Sequence, residues 1–312
     1  MYTIGVDLGG TNIKAALVDE QGGILQEASR PTNLPRPAQA VCDDIADLCR
    51  QLMAGHTVAG VGIGCPGTVD DTDGMVLYSN NLDWSNFAMG PYLKERLGLP
   101  VRLANDANAA ALGEALAGCA KGADSAVILT LGTGVGGGVV LGGKLLTGYT
   151  GAAAEPGHMV VNDAPDAPLC TCGRRGCLEA YASATALIRM TKDAMAAHPE
   201  SGLWKLADLD TVTGRTAFDG RDAGDAAAAA VVAEYTHWLA VGIANLVNIF
   251  FPQVVGLSGG VANQGEALLA PLRAQVEPMV FGSAFARKKT TLTTCTLGYR
   301  AGVIGAGLLA QR

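Results

Sequence analysis

The chain is poor in charged residues and in histidine, and its apolar stretches are interrupted before they reach the length of a membrane span. Charged residues make up 16% and hydrophobic residues 49% of its 312 positions. This composition is typical of a well-buried globular enzyme rather than of a disordered or a membrane-spanning protein. A chain of this length can form two domains of ordinary size with a substantial core.

Basic stretches are equally scarce. The formal net charge is −7, and the densest basic cluster is the RKK of residues 287–289. Proteins that bind nucleic acids carry a basic patch or stripe, so the sequence predicts no nucleic-acid partner. The N-terminal stretch MYTIGVDLGG has neither the basic flank nor the cleavage site of a secretory signal peptide. These features predict a cytoplasmic protein without a membrane segment and without disulfides.

Three of the eight cysteines are nevertheless concentrated in one short segment. Cys170, Cys172 and Cys177 lie within LCTCGRRGCLEA, residues 169–180. In a reducing compartment the spacing C-x-C-x4-C indicates a metal site, and a loop with three reduced thiols is the alternative. Gly173 and Gly176 allow the sharp turns that would bring the sulfurs together. A closed tetrahedral zinc site needs a fourth ligand, and the chain has only four histidines.

Glycine-rich turns follow three apolar runs. The stretch 4–18 is an apolar run, a Gly-Gly-Thr-Asn turn and a second apolar run, and 127–141 repeats this pattern with Gly-Thr-Gly. A third apolar run ends in Gly259 and Gly260, before a helical pattern from about Ala262. Glycines let the backbone approach a phosphate closely, although an ordinary hairpin would use Gly-Gly too. The pattern predicts strand–turn–strand units without a P-loop or dinucleotide fingerprint.

The three turns together predict a nucleotide site. Asp7 stands at the end of the first strand, where its carboxylate could hold hydrated magnesium. The predicted nucleotide contacts are Asp7, Gly9, Gly10, Thr11, Asn12 and Lys14 in the first turn, Thr133, Gly134 and Gly136 in the second, and Gly259 and Gly260 in the third.

The motifs DLGGT, LGTGVGGG and LSGGVAN resemble the phosphate and adenosine motifs of the sugar-kinase, actin and heat-shock ATPase superfamily. EPGHM followed by CTCGRRGCLE resembles the ROK family in particular, and the likeness runs over nearly the whole chain. The resemblance implies an α/β, two-lobed actin-like (ribonuclease H-like) ATPase fold with an interdomain cleft and a zinc-binding loop. We expect one lobe at 1–118, joined by a C-terminal helix at 299–312, and a second lobe with the zinc motif at 119–298.

The resemblance also assigns residues to the metal and to a sugar. It makes His158 the zinc histidine, with Cys170, Cys172 and Cys177 as the other ligands of a structural Zn²⁺. It implies that Glu155, His158 and Glu179 contact sugar hydroxyls, which suits carboxylates because they accept hydrogen bonds from adjacent hydroxyls. Further sugar contacts are expected at Gly67 in the Cys-Pro-Gly segment, at Asn81 in SNNLDW and at Asn105.

Asn105 and Asp106 stand where a strand ending near Ala104 gives way to an alanine-rich helix. Both residue types are favoured helix N-caps whatever the function, so the pair alone does not identify a catalytic group. The resemblance assigns the general base to Asp106. Transfer of the γ-phosphoryl group requires such a base, because the attacking sugar hydroxyl must lose its proton.

The resemblance therefore implies ATP-dependent phosphorylation of a hexose at O6 with Mg²⁺, glucose being the first expectation, by a homodimer. A kinase for an N-acetylhexosamine (N-acetylmannosamine or N-acetylglucosamine) or for another hexose is the alternative within the same class. A sugar-sensing regulator would share the pocket but would be expected to carry a DNA-binding domain. A heat-shock-like ATPase would share the glycine turns but not the cysteine cluster or the paired glutamates. The long apolar stretch at about 225–252 is expected to be a buried helix between domains, because His237, Asn245 and Asn248 interrupt it.

Overall fold

The computed structural model describes all 312 residues and divides into two compact units. The first unit contains residues 1–128, 138–154 and 296–312, and the second contains 129–137 and 155–295. The division predicted from the sequence differs at three places, because 119–128, 138–154 and 296–298 belong to the first unit in the structure.

The main sheet of the first unit has five strands: β1 (Tyr2–Leu8), β2 (Asn12–Val18), β3 (Ile24–Pro31), β4 (Val58–Cys65) and β8 (Val101–Asn105). Their order is β3-β2-β1-β4-β8. The strands β1, β2 and β3 pair antiparallel, whereas β4 pairs parallel to both β1 and β8. Parallel pairing places the carboxyl ends of β1, β4 and β8 at one edge of the sheet, where ligands of α/β proteins commonly bind.

A small antiparallel sheet, not anticipated from the sequence, follows β4 in the chain. It consists of β5 (Thr68–Asp70), β6 (Met75–Ser79) and β7 (Trp84–Phe87). The helices of the first unit are α1 (Ala38–Met53), α2 (Met89–Leu97), α3 (Asp106–Leu116) and α9 (Ala301–Leu309). A short 3₁₀ helix (Gly298–Arg300) precedes α9.

The C-terminal helix α9 packs against β1, β4 and α3 with almost no side chain in between. A Cβ atom added at Gly62 in β4 would lie 1.8 Å from the carbonyl oxygen of Ala306, and one added at Gly305 would lie 1.7 Å from that of Ala109. Only glycine therefore fits at these two positions. The small residues of the C-terminal sequence let the helix approach the sheet backbone to backbone.

The buried carboxylate of Glu114 ties the end of α3 to the segment that leads into α9. It accepts hydrogen bonds from the backbone N–H groups of Cys119 at 2.9 Å, Thr296 at 3.1 Å and Leu297 at 2.7 Å. The residue is only 1% exposed. A buried carboxylate is tolerated because backbone donors replace the water that it loses.

Replacing Glu114 with Gln is expected to lower the free energy of unfolding by about 2 kcal/mol, because the neutral amide offers one acceptor oxygen instead of two. Urea denaturation of both proteins measures this difference. The matched control is Glu266→Gln, since Glu266 is exposed and pairs with Arg273 at 2.7 Å. That change is expected to cost under about 0.5 kcal/mol. Equal costs for the two variants would contradict the role given to Glu114.

The second sheet repeats the strand order of the first. Its strands are β9 (Ser125–Leu131), β10 (Val135–Leu141), β11 (Lys144–Leu145), β12 (Val254–Ser258) and β13 (Thr291–Thr294), in the order β11-β10-β9-β12-β13. The repeat predicted between 4–18 and 127–141 thus corresponds to β1–β2 and β9–β10.

The helices of the second unit are α4 (Glu179–Ala182), α5 (Ala184–Ala197), α6 (Thr216–Asp222), α7 (Ala226–Phe250) and α8 (Glu266–Met279). Short 3₁₀ helices occupy Pro156–His158, Gly202–Lys205 and Val261–Gln264. The last of these stands where the sequence predicted the start of a regular helix.

By length and composition α7 could span a membrane, and it is the one helix of the structure that could. Half of its most apolar 18-residue window is buried inside the structure, and it packs against α5, α6 and α8. Its N-terminus is capped by Asp225, whose carboxylate accepts the N–H of Ala228 at 2.8 Å. These contacts are those of a core helix within the second unit. The sequence correctly predicted a buried helix at about 225–252, but the expectation that it lies between domains was wrong.

Candidate functional site

The predicted site residues of the first unit lie at the carboxyl ends of its parallel strands. Asp7 pairs with Gly64 in the register of β1 and β4, and Cys65 pairs with Asn105 in that of β4 and β8. Asp106 follows directly as the first residue of α3. The parallel register therefore brings Asp7 and Asp106 to the same edge of the sheet, although they are far apart in the sequence.

Asn105 is the N-cap of α3, and its side chain has two tasks. Its Oδ1 accepts the backbone N–H groups of Ala107 at 2.9 Å and Asn108 at 3.2 Å. Its Nδ2 donates to the carbonyl oxygen of Gly67 at 2.9 Å. Gly67 has φ +104°, and a Cβ atom there would lie 2.2 Å from the carbonyl oxygen of Tyr78. Asn105 thus fixes the loop after β4 against the start of α3.

The carboxylate of Asp106 is half-buried and lies near a second acidic group, Asp7. Its Oδ1 accepts the N–H of Ala107 at 2.8 Å. Burial raises the pKa of Asp106 above the usual aspartate value, and the negative charge of Asp7 raises it further, against the lowering effect of the Ala107 hydrogen bond. A carboxylate with a raised pKa and one engaged oxygen is suited to accept a proton from a ligand hydroxyl.

Asp7 is flanked by a cation and by a helix N-terminus. Burial raises its pKa, and the charge of Lys14, its partner in the β1–β2 register, opposes this shift. A Cβ atom added at Gly302, in the first turn of α9, would lie 3.2 Å from Oδ2 of Asp7. The N-terminal end of a helix favours a nearby anion. Sequence reasoning missed Gly302, whose only signal was the density of glycines in GYRAGVIGAG.

The turn between β1 and β2 is exposed and held by backbone hydrogen bonds. The N–H of Gly9 donates to the carbonyl oxygen of Asn12 at 2.9 Å. The hydroxyl of Thr32 donates to the carbonyl oxygen of Gly9 at 2.7 Å. Gly10 lies beside Asn81, since a Cβ atom at Gly10 would be 3.7 Å from the carbonyl oxygen of Asn81. The ammonium nitrogen of Lys14 lies 5.5 Å from the centre of the Tyr299 ring.

Two glycine turns meet in the second unit. Gly259 follows β12 with φ +89°, and a Cβ atom there would lie 2.4 Å from the carbonyl oxygen of Leu131 at the end of β9. Gly260 has open space on its side-chain side, with no atom within 4 Å. Thr133 is held by the hydroxyl of Thr185, which donates to its carbonyl oxygen at 2.8 Å. Gly136 lies within β10.

Gly134 and Glu179 are in direct contact, although the sequence assigned them to different ligands. The N–H of Val135 donates to Oε2 of Glu179 at 3.1 Å. A Cβ atom at Gly134 would lie 2.3 Å from the same oxygen. A side chain at position 134 would therefore collide with the Glu179 carboxylate, so this contact alone requires glycine there, whether or not a phosphate binds.

The four predicted metal ligands converge in the second unit. The ligand atoms of His158, Cys170, Cys172 and Cys177 all lie within 4.8 Å of one another. The Sγ atom of Cys170 is 3.6 Å from Nδ1 of His158, and the Sγ atoms of Cys172 and Cys177 are 3.7 Å apart. Two sulfurs at this separation are not bonded in a disulfide.

These separations fit a tetrahedral zinc ion. Zinc–sulfur and zinc–nitrogen bonds of ordinary length place two sulfurs about 3.8 Å apart, and a sulfur and a nitrogen about 3.6 Å apart. Hydrogen bonds from the backbone and the side chain of Arg174 lower the pKa of Cys172 to about 6, which favours its thiolate, whereas burial raises the pKa of Cys170 and that of Cys177. The donor set fits Zn²⁺ with no open position, and His158 would bind through Nδ1.

The loop around the cluster is closed by backbone contacts. The N–H of Cys170 donates to the carbonyl oxygen of Arg174 at 2.8 Å, and the Arg174 guanidinium donates to that of His158 at 2.8 Å. Gly176 has φ +75°, and a Cβ atom there would lie 1.6 Å from the carbonyl oxygen of Asn162. Glu155 precedes the 3₁₀ turn that carries His158. The N–H of His158 donates to the carbonyl oxygen of Glu155 at 3.1 Å.

The predicted site residues thus divide into two groups according to the unit to which they belong. The first group is Asp7, Gly9, Gly10, Thr11, Asn12, Lys14, Gly67, Asn81, Asn105 and Asp106; the second is Thr133, Gly134, Gly136, Glu155, His158, Cys170, Cys172, Cys177, Glu179, Gly259 and Gly260.

Comparison with known proteins shows which family the chain resembles over its whole length. The ROK family profile matches residues 3–312. A glucokinase of Halalkalibacterium halodurans is 38% identical over 100% of this chain and 95% of its own length. The crystal structure of a ROK family glucokinase from Streptomyces griseus, in complex with glucose and AMPPNP, is 39% identical with a TM-score of 0.78 and covers 100% of this chain and 99% of its own.

A ROK hexokinase from Thermus thermophilus is 36% identical, with a TM-score of 0.82 over 100% of this chain and 98% of its own. These matches confirm the two-lobed actin-like ATPase fold expected from the sequence. The chain therefore belongs to the ROK family.

Proposed function

We propose that this protein is an ATP-dependent hexose kinase that phosphorylates glucose at O6. The observation that carries the proposal is the half-buried carboxylate of Asp106 at the start of α3, with a raised pKa and Asp7 nearby. Similarity over the whole chain to ROK glucokinases supports the same reaction.

The reaction would proceed by direct transfer. Asp106 accepts the proton of the O6 hydroxyl as that oxygen attacks the γ-phosphorus of ATP, the bond from this phosphorus to the β,γ-bridging oxygen breaks, and ADP leaves. The hydrogen bond from Asn105 to the carbonyl oxygen of Gly67 fixes the start of α3, and this positions Asp106, the next residue, as the base. Asp7 is suited to hold hydrated Mg²⁺, which neutralises charge on the phosphates.

Sugar contacts are proposed for one set of residues and nucleotide contacts for another. Gly67, Asn81, Asn105, Asp106, Glu155, His158 and Glu179 would bind the hexose. Asp7, Gly9, Gly10, Thr11, Asn12, Lys14, Thr133, Gly134, Gly136, Gly259 and Gly260 would bind ATP.

We also propose that His158, Cys170, Cys172 and Cys177 hold a structural Zn²⁺. The metal would supply a rigid cross-link rather than a reactive position, since four protein ligands complete a tetrahedron. His158 would bind it through Nδ1 and keep Nε2 for a sugar hydroxyl. The protein is further proposed to be a cytoplasmic homodimer.

Gly260→Val and Gly134→Val are expected to differ, because the two glycines have different neighbours. A Cβ atom at Gly260 meets no protein atom within 4 Å, so valine there should obstruct mainly the nucleotide and raise the KM for ATP about tenfold, with little change in glucose Kd. Valine at Gly134 would displace the Glu179 carboxylate and should weaken glucose binding as well. Titration of each variant with glucose in the absence of ATP separates the two effects. Loss of glucose binding in Gly260→Val would contradict the nucleotide assignment.

A panel of hexoses tests the proposed function. ADP release is measured with ATP and glucose, mannose, allose, fructose, N-acetylglucosamine or N-acetylmannosamine, and the phosphorylated position is determined by NMR. Glucose is expected to give the highest kcat/KM, with phosphate on O6. Preference for an N-acetylhexosamine would replace glucose as the substrate, and no turnover with any of the six would contradict the kinase itself.

A further inference from the structure

Glu179 is the point at which the cysteine cluster reaches the proposed sugar site. Its Oε1 lies 2.6 Å from the hydroxyl of Thr171 and 3.4 Å from Sγ of Cys170, and its Oε2 accepts the N–H of Val135. Rotation of a glutamate carboxylate about its last bond is otherwise only weakly restricted. Partners on both oxygens fix its plane, and each oxygen keeps a further lone pair for a ligand hydroxyl.

Of the two side chains at Oε1, only the threonine can donate when a metal is bound. A cysteine that ligates zinc is a thiolate and has lost the proton that it would donate. The contact between Cys170 and Glu179 then joins two anionic groups, whereas the Thr171 hydroxyl still donates a charge-assisted hydrogen bond. The orientation of this carboxylate oxygen therefore depends on residue 171.

Thr171 is itself held in place by the residues on either side. It lies between Cys170 and Cys172, which are both members of the cluster. The N–H of Gly173 donates to the carbonyl oxygen of Cys170 at 3.0 Å, so the chain turns tightly around Thr171. A metal at the cluster would thus fix the backbone of Thr171, and its hydroxyl would pass that constraint to Glu179.

We propose that Thr171 is a positioning residue for sugar binding, which transmits the geometry of the metal cluster to the carboxylate of Glu179. The inference rests on the proposed function, because it takes Glu179 to accept a hydrogen bond from the hexose. Removing the hydroxyl should allow the carboxylate to turn, and the sugar would then have to reorder it on binding. Affinity for the hexose should fall while the chemical step, which belongs to Asp106, changes little.

The test compares Thr171→Val, which has nearly the same shape without the hydroxyl, with Thr171→Ser, which restores the hydroxyl. Thr171→Val is expected to raise the glucose Kd about tenfold, with kcat within about twofold of the unaltered protein. Thr171→Ser should return the Kd to within about threefold. In a Glu179→Gln background the valine substitution should have little further effect, since the carboxylate it acts on is gone.

Thr211→Val is the matched control. The Thr211 hydroxyl also donates to a carboxylate, that of Asp208 at 2.9 Å, but in an exposed turn outside the proposed site. This variant is expected to keep the glucose Kd and kcat unchanged. Zinc content per chain is measured for every variant and should stay constant.

Several results would overturn the inference. These are an unchanged Kd in Thr171→Val, a failure of serine to restore it, and an equal effect of valine in the Glu179→Gln background. Loss of zinc in Thr171→Val would also overturn it, because the threonine would then act on the cluster and not on the carboxylate. Turnover of the unaltered protein with the hexose panel tests the proposed function separately. The Kd values of Thr171→Val and Thr171→Ser are then compared with whichever hexose that panel identifies as the substrate.

Discussion

Asp106→Asn is expected to lower kcat by roughly 10²–10⁴-fold while the glucose Kd changes much less. Asparagine has the same size and can accept the N–H of Ala107, but its amide does not take a proton from a hydroxyl at neutral pH. Misfolding would not explain the loss, since the cap of α3 is the side chain of Asn105 and remains in place. Turnover and glucose binding are measured on the same preparation.

The pH profile provides a second readout of Asp106. A general base works only in its ionised form, so kcat/KM should fall as the pH drops through the pKa of Asp106. Burial and the charge of Asp7 raise this pKa, and the acid limb should therefore lie above the range of an ordinary aspartate. Asp106→Asn should lack this limb.

Glu155 and Glu179 are the rival candidates for the base. Glu155→Gln and Glu179→Gln should mainly raise the glucose Kd if these residues bind hydroxyls. Near-normal turnover in Asp106→Asn, together with its loss in a glutamate variant, would show that the base has been assigned to the wrong residue.

Cys172→Ala is expected to remove the metal, lower the Tm by roughly 10 °C and weaken glucose binding together. Three ligands hold zinc more weakly than four, and the loop that carries Thr171 then loses its cross-link to His158. Metal analysis of the unaltered protein should give about one zinc per chain, and the variant should have little.

Cys49→Ala is the control for this experiment. Cys49 is a fully buried thiol in α1 of the first unit, so its loss removes packing without touching the cluster. It should cost about 1 kcal/mol of stability and leave zinc content and glucose affinity unchanged. A folded, active preparation of the unaltered protein without bound metal would contradict the zinc proposal.

The sequence by itself determined which segments fold as strand–turn–strand units and which residues carry reactive groups. Short apolar runs that end in glycine pairs leave few alternatives to a strand and a tight turn, so the predicted bounds of β1 and β2 lie close to those in the structure. The predicted start of α3, after the strand that ends near Ala104, is likewise close to the observed one. The cysteine spacing likewise predicted a cluster, since three thiols within eight positions are joined by too little chain to lie far apart. The family resemblance then selected His158 from four histidines and Asp106 from two possible capping residues.

Only the tertiary structure decided how these groups affect one another. Burial raises the pKa of Asp106, and the charge of Asp7 raises it further; Asp7 is 99 positions away and is brought near by the parallel register of β1, β4 and β8. The contacts of Glu179 with Val135 and Thr171, and those of Asp7 with Gly302, likewise join residues whose local patterns carry no sign of each other. Local propensity acts over a few residues, whereas these contacts depend on sheet order and backbone packing, which arise only when the whole chain has folded.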